Sequence, residues 1–92
     1  IDEHSKVVLL RKAISFDSVD YVDALLKLGA NLEAWQNSSE DPRFMKPIAI
    51  AILSKRLKSL TVIINCGADL NSPCIRNPEP TNPLELSARL GP

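Results

Sequence analysis

Residues 60–71 read L-T-V-I-I-N-C-G-A-D-L-N. The apolar side chains of Leu60, Val62, Ile63 and Ile64 recur at helical spacing. Gly67 stops the run, as a left-handed helix cap does. The same phrase stands earlier, at residues 21–32, as Y-V-D-A-L-L-K-L-G-A-N-L, closed by Gly29. One phrase used twice in 92 residues predicts a repeat protein, in which a unit cannot bury its apolar face alone and stacks on the next. Such a chain offers a binding surface rather than a catalytic centre.

Working outward, each copy of the phrase is a second helix with a first helix before it. Ser5 is a capping residue, and Val7, Val8, Leu9, Leu10, Ala13, Ile14 and Phe16 give the first helix more than one apolar side. Asp17-Ser18 interrupts, and a second helix over about 19–28 follows. Asp17, Asp20 and Asp23 crowd its start, where carboxylates favour the positive end of the helix dipole. Residues 31–46 form a polar connector with Asn37, Ser38, Ser39, Glu40, Asp41 and Pro42 as turn residues. Trp35, Phe44 and Met45 are its apolar exceptions, and packing under the connector is one role for them. Pro47 fits the first position of a helix, and the apolar run 48–53 predicts a central, buried one. Lys55-Arg56 ends it, and a helix over 57–66 follows. Pro73, Pro78 and Pro80 keep the connector 68–81 from being helical throughout. Asn82 caps and Pro83 opens a last helix over 84–90.

The Gly-Ala pair at Gly29 returns at Gly67, and the helix-opening proline at Pro47 returns at Pro83, at nearly the same interval (67 − 29 against 83 − 47). In this register the chain resembles the ankyrin repeat family, whose pattern runs T-P-L-H-x-A-A-x-x-G and then V-V-x-x-L-L-x-x-G-A-D-V-N. The second copy reads K-P-I-A-I-A-I-L-S-K over 46–55, and then S-L-T-V-I-I-N-C-G-A-D-L-N over 59–71. A third begins N-P-L-E-L-S-A-R-L-G at 82–91. The first keeps Ala13-Ile14 and L-L-K-L-G-A-N-L over 25–32. No copy keeps the family's Thr or His, and its glycine between the helices is Asp17 in one copy and Lys55 in the next. The resemblance implies an all-α helix–loop–helix repeat solenoid with long connecting finger loops. Its units are a first repeat over about 5–34, a second over about 43–72 and a half repeat over about 79–92. Ala13, Ala51 and Ala88 would let paired helices approach closely. Two and a half units read as part of a longer array, with Leu84, Leu86 or Leu90 exposed unless something covers them.

Composition closes off other classes. Eleven basic residues balance eleven acidic ones, which gives no case for a nucleic-acid partner. The apolar runs are too short to span a bilayer. Cys66 and Cys74 lack the spacing and companion histidines of a metal site, and the only histidine is His4. The expectation is a partly buried Cys66 and a loop Cys74, with a local disulfide only in an oxidising compartment. Asn37-Ser38-Ser39 fits a glycosylation acceptor but carries little weight alone. No nucleophile–base pair and no glycine-rich phosphate loop stands in the chain, so no enzyme activity and no cofactor are expected. Lys55, Arg56 and Lys58 crowd a helix start, where positive charge is unfavourable unless an anion or acidic partner sits there, and a solvated turn is the expected reading over a phosphate site.

The expected function is therefore non-catalytic protein binding inside the cell, in the cytoplasm or the nucleus. The partner is another protein or another domain of the same chain. No nucleic acid, membrane or small molecule is expected. Trp35 is the anchor candidate, since exposed tryptophan is enriched in binding hot spots. The family's concave face, carried over by register, falls on Trp35, Arg43, Met45, Glu79 and Thr81 in the fingers. On the first helices it falls on Ser15, Phe16, Leu53, Ser54 and Arg89. Two other roles fit the same sequence: a structural packing or capping segment, and an accessory domain that orients a substrate for a neighbouring catalytic domain.

Overall fold

The computed structural model describes residues 2–37, 43–76 and 80–90. These form five helices: α1 (Glu3–Ser15), α2 (Val19–Lys27), α3 (Pro47–Leu53), α4 (Leu57–Asn65) and α5 (Pro83–Leu90). The all-α expectation holds for the described residues.

The helix starts follow local chemistry. The expected cap of α1, Ser5, is instead the capped residue. Its backbone N–H donates to Asp2 Oδ1 at 2.7 Å, so the helix begins earlier, at Glu3. Pro47 opens α3, as its fixed φ and missing N–H favour. Asn82 Oδ1 accepts the Glu85 N–H at 2.8 Å and caps α5.

The helix ends share one geometry. At α1, Asp17 N–H donates to Ile14 O and Ser18 N–H to Ala13 O, the paired bonds of a Schellman motif. The same pair closes α3 through Lys55 and Arg56, α2 through Gly29 and Ala30, and α4 through Gly67 and Ala68. In each motif one residue has positive φ: 53° at Asp17, 91° at Gly29, 55° at Lys55 and 95° at Gly67. Glycine adopts this conformation freely, whereas Asp17 and Lys55 are strained there. Lys55 follows Asp17 at the same interval as Gly67 follows Gly29 (55 − 17 and 67 − 29 are equal).

Packing is built around α3. It lies against α1, α4 and α5, while α2 packs on α1 and on α4. The first helices α1, α3 and α5 thus form one row, and α2 and α4 a second. Pro47 to Ile52 are all buried, with Ala49 and Ala51 fully so, which lets the neighbouring backbones come close. Leu10, Ile14, Val22 and Ile63 are also fully buried. Each such side chain contributes roughly 1.5–3 kcal/mol relative to exposure. Ala88 departs from the expectation: it is exposed, unlike Ala13 and Ala51. Leu86 is buried and Leu84 is 59% exposed.

Two corrections concern the connectors. They are not simply irregular loops: antiparallel bridge pairs link Gln36 to Met45, Met45 to Ile75, and Ile75 to Thr81. Cys66, expected to be partly buried, is exposed, and Cys74 in the second connector is buried; both are free thiols. Cys74 is covered because it lies in this ladder, with its carbonyl accepting the Lys46 N–H at 2.9 Å. Ser38 and Ser39 of the glycosylation triplet lie outside the described residues.

Candidate functional site

The candidate site is the outer face of the connector ladder. Gln36 and Met45 exchange both backbone hydrogen bonds, at 2.9 and 2.8 Å, which closes the first finger. Its returning arm then pairs with the second connector: Lys46 N–H donates to Cys74 O, and Arg76 N–H to Phe44 O. Side chains alternate across extended backbone, so the bridge pairing sorts the residues into two faces. Met45, Ile75 and Thr81 share one face and are all core residues, 3%, 3% and 2% exposed. Trp35, Phe44, Lys46 and Arg76 share the other. Trp35 is half-buried, Phe44 is 42% exposed and Arg76 is exposed.

This outer face has a defined charge pattern. Lys46 Nζ lies 2.9 Å from Glu33 Oε1 with only 9% of its side chain exposed. Such a covered ammonium needs its carboxylate partner. The other Glu33 oxygen accepts the Asp69 N–H at 3.2 Å, which ties the start of the second connector to the first. Lys46 and Arg76 both lie over the Trp35 indole, with Nζ 5.2 Å and Cζ 4.3 Å from the ring centroid. Both distances fall within cation–π range. Lys46 is neutralised by Glu33, whereas the Arg76 guanidinium has its stack on the ring and no hydrogen bond to a described residue.

The residues expected from the sequence scatter around this face. Trp35 lies on it, and half-buried Arg43 is next to Phe44 in the chain. Met45 and Thr81 lie beneath it, and as core residues they offer a partner no surface. On the helices, Ser15 and Ser54 are exposed, Phe16 is 81% exposed, and Leu53 is half-buried against the core. Ser15 Oγ donates to Arg11 O at 3.0 Å, and Arg89 Nη1 to Thr81 Oγ1 at 3.4 Å. Glu79 lies outside the described residues. Sequence reasoning missed Phe44, Lys46 and Arg76 as a group with Trp35. A two-residue alternation in R-F-M-K and C-I-R was the available signal, and it only has meaning once the two connectors are paired.

The basic helix start at Lys55, Arg56 and Lys58 has an acidic partner from within the chain. Asp17 Oδ1 accepts the Ser59 N–H at 3.2 Å and the Ser59 hydroxyl at 2.8 Å. Asp17 thus caps the first turn of α4 from a distance, and this end is occupied by the protein itself.

Among the described residues no cluster of His, Cys, Asp or Glu could hold a metal ion. No helix among them is long and apolar enough to cross a membrane. Compared with known protein families and with curated proteins, the chain matches none.

Proposed function

We propose that this chain is a protein-binding segment of ankyrin-like repeats, and that its partner docks on the connector face around Trp35. The repeat reading draws on the shared helix ends, on the equal intervals between them (55 − 17 and 67 − 29), and on the two rows of helices. Positive φ at Asp17 and Lys55 falls where the family pattern has its glycine. The observation that carries the binding reading is the Trp35 indole held under a guanidinium on a hydrogen-bonded ladder. A rigid aromatic loses little freedom on binding, and a ladder adds little ordering cost. Catalysis is no part of the proposal. The two free thiols fit the reducing interior of a cell, in the cytoplasm or nucleus.

The test is capture of partners from a cell lysate on the immobilised protein, compared with Trp35→Ala. Loss of the captured set at unchanged helicity supports the reading. An unchanged set removes Trp35 from the site.

A second reading is packing within a longer chain, either as a structural segment or beside a catalytic domain that it serves. An apolar groove between α1 and α2 favours it, lined by Leu9, Ala13, Phe16, Tyr21 and Leu25. A smaller groove among α3, α4 and α5 is lined by Ile48, Ile52, Leu60, Ile64 and Leu84. Both grooves present the kind of apolar surface that α1 and α2 bury against α3 and α4.

A further inference from the structure

The Trp35 face also has a chemical preference. We infer that Arg76, stacked on Trp35, is the docking point for a side-chain carboxylate of an acidic protein segment. This inference rests on the binding role proposed above and names the chemistry of its partner.

Three observations carry it. The first is geometric. The guanidinium carbon lies over the indole, 4.3 Å from its centroid, so the ring shields the group from one side. Its N–H donors lie in its own plane and point outward along its edges. That planar fork matches the two oxygens of a carboxylate. The second is that these donors are unspent among the described residues: Arg76 is exposed, and its side chain has no hydrogen bond to any of them. The third is charge. The neighbouring cation, Lys46, is matched by Glu33 at 2.9 Å, so among the described residues of this face Arg76 is the exposed guanidinium beside an already matched ammonium. A single fork suits one carboxylate among apolar contacts. A nucleic acid backbone asks for a row of cations. Half-buried Trp35 and the 42%-exposed ring of Phe44 supply the apolar surroundings. Pre-stacking on Trp35 also fixes the guanidinium before the partner arrives, which removes part of the ordering cost that weakens most surface ion pairs.

Trp35 is the only tryptophan in the chain and reports on its own face. The experiment is a tryptophan-emission titration of the full chain with an acetylated, amidated Glu-rich peptide and with its Gln counterpart. A single-stranded oligonucleotide provides a third arm. The expected result is a saturable emission change with the Glu peptide alone, weakened by added salt. Arg76→Gln should weaken that binding about tenfold, the order of one charge-assisted bidentate pair. Arg56→Gln, at the start of α4, should leave it unchanged. Arg76 is exposed, so circular dichroism of Arg76→Gln should match the parent chain. An equal response to the Gln peptide, a response to the oligonucleotide alone, no response to any probe, or undiminished binding in Arg76→Gln would overturn the inference. Loss of the carboxylate preference with lysate capture still sensitive to Trp35→Ala would leave the binding role standing and remove only the acidic partner.

Discussion

The carboxylate of Asp17 accepts both the backbone N–H and the hydroxyl of Ser59, a residue 42 positions later in the chain. Ser59 is fully buried, so this pair satisfies an orphan helix donor and a buried hydroxyl together. Asp17 accepts backbone strain, at φ 53°, in the position that makes this bond. Lys55 has the same backbone, at φ 55°, and makes no comparable side-chain bond to a described residue.

The two positions should therefore respond oppositely to the same substitution. Asp17→Gly relieves strain but leaves Ser59 unpaired, and should cost about 2 kcal/mol. Lys55→Gly relieves strain at little loss and should gain about 0.5–1 kcal/mol. Urea unfolding curves of both variants check the signs. In a double-mutant cycle, Ser59→Ala should cost much less in the Asp17→Gly background than in the parent chain.

Acid should weaken the second connector through Asp69. Hydrogen bonds from the Ser72 hydroxyl, and from the Asn71 and Ser72 backbone N–H groups, hold its carboxyl below the usual value of 3.8. A carboxyl depressed by folding contributes stability above its unfolded value. That contribution disappears as pH falls through the lower folded value. The melting temperature of the parent chain should therefore exceed that of Asp69→Asn by a constant margin from neutral pH down to about 5. The margin should narrow below 3.8 and vanish in stronger acid. A margin independent of pH would mean that these hydrogen bonds do not depend on the charge.

The two thiols should differ sharply in reactivity. Burial pushes the Cys74 thiol up to about 11 and shields it from reagents, whereas Cys66 lies exposed at the end of α4. The thiolate is the reactive form. An aromatic disulfide reagent at pH 8 should label one thiol rapidly in the folded chain, and the second only after unfolding. Cys66→Ser should remove the fast phase. Rapid labelling of Cys74 would place it outside the core.

Much of the helical framework is legible in the sequence because its signals are local. Gly29 and Gly67 mark the helix ends, Pro47 and Pro83 the starts, and the apolar run 48–53 the buried centre. What escapes is what depends on chain segments meeting. Nothing near Ser59 announces that Asp17 will cap it. Met45 and Thr81 look like loop residues until the bridge pairs turn both toward the core. Cys74 is buried although it stands in a proline-rich connector, because that connector pairs with the first. Trp35 stands out by type alone, but its partner Arg76 belongs to the other connector and becomes its neighbour only through the pairing of the two.

The proposed docking on the connector face would leave a defined footprint. Amide hydrogen exchange, measured with and without a partner captured by the immobilised chain, tests this directly. Docking on the connector face predicts added protection at residues 35–37, 43–46 and 74–76, with α2 and α4 unchanged. Protection confined to α2 and α4, with the connector ladder exchanging as it does in the free protein, would contradict it.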